Sequence, residues 1–126
     1  MNVRGSKSAA AIVLLALLVA CASHANDPRA MADRITRAVY ANDIDATTTD
    51  FDDETKKTVT RSQLGDLSGK MHALGNYRSL TQRRADPDTG KYAYDAHFTN
   101  GTMLVELRID PSGKVGAYRV SPEQGR

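Results

Sequence analysis

The chain has 126 residues, 17 lysines and arginines against 15 aspartates and glutamates, one cysteine and no tryptophan. That length is one domain, and a single cysteine excludes an intrachain disulfide framework and the usual cysteine-rich zinc sites. Without the first twenty residues, which hold Arg4 and Lys7, the formal net charge falls to zero. A neutral chain lacks the overall basic character that nucleic-acid binding draws on.

Arg4 and Lys7 precede an unbroken apolar run from Ala9 to Ala20. That run is too short to span a bilayer, which takes about 20 residues. A basic flank, a short apolar core and small residues after it read as an export signal. Leu18-Val19-Ala20-Cys21 matches a bacterial lipobox, in which Cys21 is lipidated and becomes the mature N-terminus. Ala22 rather than Asp follows it, the pattern of lipoproteins sorted to an outer membrane. Ser23-His24-Ala25 is the alternative, an ordinary cleavage site that leaves Asn26 first. The expected organisation is therefore a signal over 1–20 (to 25 on the second reading), a tether over 21–27, one domain over 28–122 and a tail over 123–126. The expected location is the periplasm. There acyl chains on Cys21 hold the protein to a lipid membrane, each buried methylene adding about 0.8 kcal/mol.

Asp27-Pro28 starts a helix, with Asp as N-cap and Pro where its missing N–H costs nothing. Met31, Ile35, Ala38 and Val39 give it one apolar face. Asn42 interrupts it, and Asp43 caps a second short helix through Ile44 and Ala46, ended by Thr47-Thr48-Thr49. Asp50 to Lys57 is charged, with Phe51 its one large apolar anchor, and is expected to be irregular. Thr60 and Gln63 form a capping box, Leu64, Leu67, Met71 and Leu74 a stripe, and Gly75 a left-handed C-terminal cap. His72 falls off the stripe and is expected in solvent.

From Tyr77 the apolar period changes from 3.6 to 2. Asn100-Gly101 is a strong hairpin signal and predicts the pairs Phe98–Met103, Ala96–Val105, Tyr94–Leu107 and Tyr92–Ile109, all on one face. Asp110-Pro111-Ser112-Gly113-Lys114 is a second turn that sets Ile109 against Val115 and Leu107 against Ala117. Asp86-Pro87-Asp88-Thr89-Gly90 is a third. It follows an edge strand over Arg78 to Ala85 whose register is open, since neither parity is apolar. The fold class expected is α+β, N-terminal helices packed on one face of a curved four-stranded antiparallel meander.

Leu74-Gly75-Asn76-Tyr77, Ala96-His97-Phe98, Gly101-Thr102-Met103 and Ile109 to Val115 fit the helix end, strand endings and turns of one family pattern. Over roughly Pro28 to Pro122 the chain resembles a small bacterial domain of unknown function in the nuclear transport factor two-like, or cystatin-like, superfamily. The resemblance implies a curved sheet wrapped around helices, in some relatives a cone-shaped pocket. Those relatives include ketosteroid-isomerase-like and SnoaL-like enzymes as well as non-catalytic binding and association modules, many of which dimerise through the sheet.

The predicted register places Asp95 beside Glu106 on the outer face, with His97 and Arg108 diagonal to them. Two carboxylates so close can split their pKa values into an acid/base pair, or they can be a solvated sheet face. The same face is expected to carry Leu104, Tyr118, Val120 and Arg108 as an association surface for a second copy or an envelope protein. Tyr92, Tyr94, Phe98, Met103 and Arg119 are expected on the inner side, as core or as the wall of a ligand pocket. Gly65-Asp66-Leu67-Ser68-Gly69-Lys70 is one residue short of a phosphate loop and lies within a helix. Asp86 to Gly90 resembles the start of a calcium loop, but Lys91 and His97 stand where glycine and glutamate belong. No metal or cofactor is expected. The function expected is an exported, lipid-anchored, non-catalytic binding or association module. The alternatives are a small pocket enzyme of the isomerase-like kind and, by fold analogy alone, a secreted inhibitor.

Overall fold

The computed structural model describes residues 27–123. The expected export signal, the expected lipidation site at Cys21, His24 and residues 124–126 lie outside them. Four helices come first: α1 (Pro28–Tyr40), α2 (Ile44–Thr48), α3 (Asp53–Lys57) and α4 (Arg61–Ala73). Strands β1 (Tyr77–Asp86), β2 (Lys91–Phe98), β3 (Gly101–Ile109) and β4 (Val115–Pro122) follow and form one open antiparallel meander in that order. The class is α+β, with the helices on one face.

Each helix starts where its cap predicts. Asp27 accepts from the Arg29 N–H, Asp43 from Ala46 and Thr60 from Gln63, whose side chain closes the capping box. The charged stretch expected to be irregular instead holds α3. Asp52 caps it at 2.8 Å, Asp53 and Glu54 occupy its first turn, and Lys56 and Lys57 its last. This charge order complements the helix dipole, a signal that an apolar-stripe criterion overlooks. Just before α3, Phe51 bridges Val115 in parallel, with Val115 N–H donating to the Asp50 carbonyl and Asp52 N–H to that of Val115. The start of edge strand β4 is thereby covered.

Helix α1 lies against the sheet, burying Met31, Ala32, Ile35, Thr36, Ala38 and Val39. Its direction is set by Arg29, which donates to the Leu80 carbonyl at 2.7 Å, and by Tyr77, which donates to Asp33 at 2.6 Å. Helix α4 stands on α1: Ser68 donates to the Tyr40 carbonyl and Tyr40 to that of Gly75, each at 3.0 Å. Leu64 and Met71 of its stripe reach the common core, while Leu67 stays half-buried. Exposed His72 stacks on Tyr40, ring centroids 3.9 Å apart.

The β2–β3 hairpin keeps the predicted faces but not the predicted partners. Phe98 faces Gly101, Ala96 faces Met103, Tyr94 faces Val105 and Tyr92 faces Leu107. The turn is Thr99-Asn100, one residue earlier than expected. Its N–H groups donate to Asn76 and Leu74 at 2.9 and 2.8 Å, so the end of α4 grips the hairpin tip. Gly75 adopts the expected positive φ, 93°. Gly101 is extended backbone packed against Leu74, where an added Cβ would lie 2.9 Å from Leu74 Cδ2. Tertiary contact thus overrides local turn preference, and because partners move by two residues the inward set is unchanged.

On the other side, Ile109 faces Val115 as expected, but a bulge at Gly116 follows and Leu107 faces Tyr118 rather than Ala117. Every later residue of β4 therefore changes face. β1 carries two irregularities, at Arg78 and Arg83, which place Tyr77, Leu80, Gln82 and Ala85 opposite the inward residues of β2. Two interruptions in ten residues explain why neither simple parity of this strand is apolar.

Candidate functional site

The inner wall begins as packed core. Tyr94, Phe98 and Met103 are at most 5 % exposed, beside Ala96, Val105 and Leu107. Tyr92 is half-buried and packs on the same cluster. Burial, with the Asp27 carboxylate nearby, pushes the Tyr94 hydroxyl up to about 12, so it stays neutral. These four residues fill the centre of the domain.

Open space lies to one side of them, where α4 leans on α1 without covering β4. A cavity of about 300 Å³ opens there. Val39 of α1, Phe51 and Tyr118 form its floor, Val59, Leu64 and Leu67 its far wall, and Thr47, Thr58 and Gln63 its polar margin. The Gly116 bulge is what turns Tyr118 into this space, a correction to its expected place on the outer face. The phenol shares a 2.8 Å hydrogen bond with Thr36, which is fully buried on α1. Burial raises the Tyr118 hydroxyl well above its usual range, with Thr36 only partly opposing. It is a fixed neutral hydrogen-bonding group, not a base. Val120 also turns inward, opposite Val105.

The outer face is polar. Four cross-strand rows organise it, and two of them hold the carboxylates of the expected acid/base pair. Asp95 faces Thr81 and Leu104, while Glu106 faces Ala93 and Arg119. The two carboxylates are diagonal rather than opposite, because the hairpin register moved. Asp95 is held by Arg83 at 2.9 Å, and the same guanidinium reaches Glu123 at 3.0 Å. His97 stands between Ser79 and Thr102, its Nε2 2.8 Å from the Thr81 hydroxyl. The predicted dyad is therefore not formed as a facing pair: Asp95 is ion-paired with Arg83, and Glu106 sits one row along, diagonal to it. Leu104 and Arg108 are on the outer face as expected. Arg119 is there too, a correction to its expected inward position with the same bulge as its cause. Among the described residues, no three His, Cys, Asp or Glu side chains are grouped as metal ligands, and no helix is long and apolar enough to cross a membrane.

Reading along strands and helices located the inner core but missed the side opening. Leu67 belongs to the stripe expected in the core, and Val59 carries no expectation. Only the angle between α4 and β4 makes them a wall. In comparisons with known proteins, the chain matches no family model, and no curated protein or solved structure matches it significantly.

Proposed function

We propose that the chain is an exported, lipid-anchored, non-catalytic binding module whose ligand site is the crevice between α4 and β4. The observation that carries this reading is the crevice itself: about 300 Å³ of side opening, walled mainly by aliphatic and aromatic side chains, with Thr47, Thr58 and Gln63 at its polar margin. Such a site suits a small, largely apolar ligand with one hydrogen-bonding group. The lipobox supports anchoring through Cys21, and the diagonal placement of Asp95 and Glu106 favours binding over acid/base catalysis. The helix-on-meander architecture agrees with the resemblance to the nuclear transport factor two-like superfamily.

Indole, apolar with one N–H donor, is a suitable probe. Titrated into the mature protein, it is expected to move the amide resonances of Val39, Val59, Leu67 and Tyr118, and Leu67→Phe, which fills the opening, is expected to abolish the effect. Shifts scattered over the surface, or unchanged by Leu67→Phe, would sink the assignment. Mass spectrometry of the mature N-terminus tests the anchor: acylated Cys21 supports it and an unmodified Asn26 refutes it.

A further inference from the structure

The end of the outer face nearest the β1–β2 and β3–β4 turns carries a second constellation. Its two cross-strand rows are Arg84–Ala93–Glu106–Arg119 and Asp86–Lys91–Arg108–Ala117. Each strand contributes one cation, and these four, with Glu106 and the short Ala117, line a basin of about 240 Å³. Ala93 is only 1 % exposed although it faces outward, so the long side chains beside it close over it. Among the described residues, none of these charges takes part in an ion pair, whereas one row away Arg83 is paired twice.

Arg108 is seated by the backbone. The Gly116 bulge presents its carbonyl to the Arg108 guanidinium at 3.0 Å, and a Cβ on Gly116 would lie 2.8 Å from that group. A guanidinium carries five N–H donors, and among the described residues the Gly116 carbonyl is the one protein acceptor this guanidinium has. The bulge thus pre-orients a fork of donors, which lowers the ordering cost of binding.

We propose that this basin binds a small oxyanion with two charged groups, a diphosphate or dicarboxylate. Arg84 and Lys91 hold one group, and Arg108 and Arg119 hold the other. Strands lie about 4.8 Å apart, so the β1 and β4 arginines face each other across roughly 14 Å, room for each to hold one charged group of a two-headed anion. Guanidinium groups match both phosphate and carboxylate oxygens through paired hydrogen bonds. Glu106 lies between the two halves and repels a plain anion, while Asp86 at the corner weakens the β1 side. The basin lies on the opposite side of the sheet from the α4–β4 crevice, and the two sites are independent.

Inorganic pyrophosphate is the probe, titrated calorimetrically into the mature protein at low salt. Binding about tenfold tighter than that of orthophosphate is expected, weakening as salt is added. Arg84→Ala and Arg119→Ala should each weaken it about tenfold, as loss of a charge-assisted pair implies. Gly116→Ala, which displaces the Arg108 guanidinium, should weaken it as well, and Glu106→Gln should tighten it several-fold. The Glu106→Gln gain also guards against mere unfolding, since a damaged fold cannot bind better. Absence of pyrophosphate binding overturns the proposal, as does binding indifferent to Arg84 and Arg119. Attachment to anionic phospholipid vesicles without pyrophosphate binding overturns it too.

Discussion

Thr36 and Tyr118 meet through hydroxyls where α1 crosses β4, and Thr36 is fully buried. A buried hydroxyl that loses its partner costs about 1–3 kcal/mol, whereas replacing both partners by apolar groups of like shape can be nearly neutral. Tyr118→Phe is therefore expected to destabilise by about 1–2 kcal/mol in urea melts, and Tyr118→Phe with Thr36→Val to recover most of that loss. Asp33 offers a pH test. Partial burial would raise its carboxyl, but hydrogen bonds from Tyr77 and Arg37 and the positive charge of Arg37 and Arg29 outweigh it, and the net shift is downward. A carboxylate whose folded pKa is depressed stabilises fully above its unfolded value, near 4, and the contribution disappears as pH falls through the folded value. The stability gap between the wild type and Asp33→Asn is expected to be widest near neutral pH and to close below about pH 4. A gap that stays constant with acidification would show that the Tyr77–Asp33–Arg37 contacts carry no charge-dependent stabilisation.

Elements differ in how far their sequence betrays them. Helix caps at Asp27, Asp43 and Thr60 were legible because a capping side chain bonds to a backbone N–H two or three residues on, and nothing distant competes. The inward parity of Tyr94, Phe98, Val105 and Leu107 was legible for the same reason: it is a local alternation. Partners were not, since the hairpin tip is held by Leu74 and Asn76 at the end of α4, a contact formed only on folding. The bulges at Arg78, Arg83 and Gly116 leave no periodic trace, and through them Arg119, Tyr118 and Arg84 acquired their faces. That is why both candidate sites escaped a reading by period. Turn glycines allow a direct test of local against tertiary constraint. Gly90 and Gly113 both have positive φ, 73° and 88°, but a Cβ on Gly90 would run into the Ile109 carbonyl while none opposes one on Gly113. Gly113→Ala should cost only the left-handed strain, about 1 kcal/mol. Gly90→Ala should cost about 3 kcal/mol or more, a drop in Tm exceeding about 12 °C for a domain of this size. Equal losses would show that backbone strain alone governs these turns.

At the scale of the molecule, the sheet divides two environments. The helical side holds the apolar core and its crevice, and the outer side holds charge. Leu104 is the one large aliphatic side chain among the described outward-facing residues, flanked by Asp95 and Ser121. A stable interface buries about 800 Å² per partner around an apolar centre depleted in charge. Residues such as Arg84, Lys91, Glu106, Arg108 and Arg119 would have to be desolvated to supply that area, and a second copy brings the same surplus of cations against them. Repulsion between two basins falls with added salt, so any sheet-to-sheet pairing should strengthen with ionic strength rather than weaken. Light scattering of the chain from Asn26 onward is expected to return the monomer mass at low salt, and Leu104→Asp to leave it unchanged. A dimer at low salt that Leu104→Asp dissociates would show instead that the outer face pairs around that leucine, and would place the basin inside an interface.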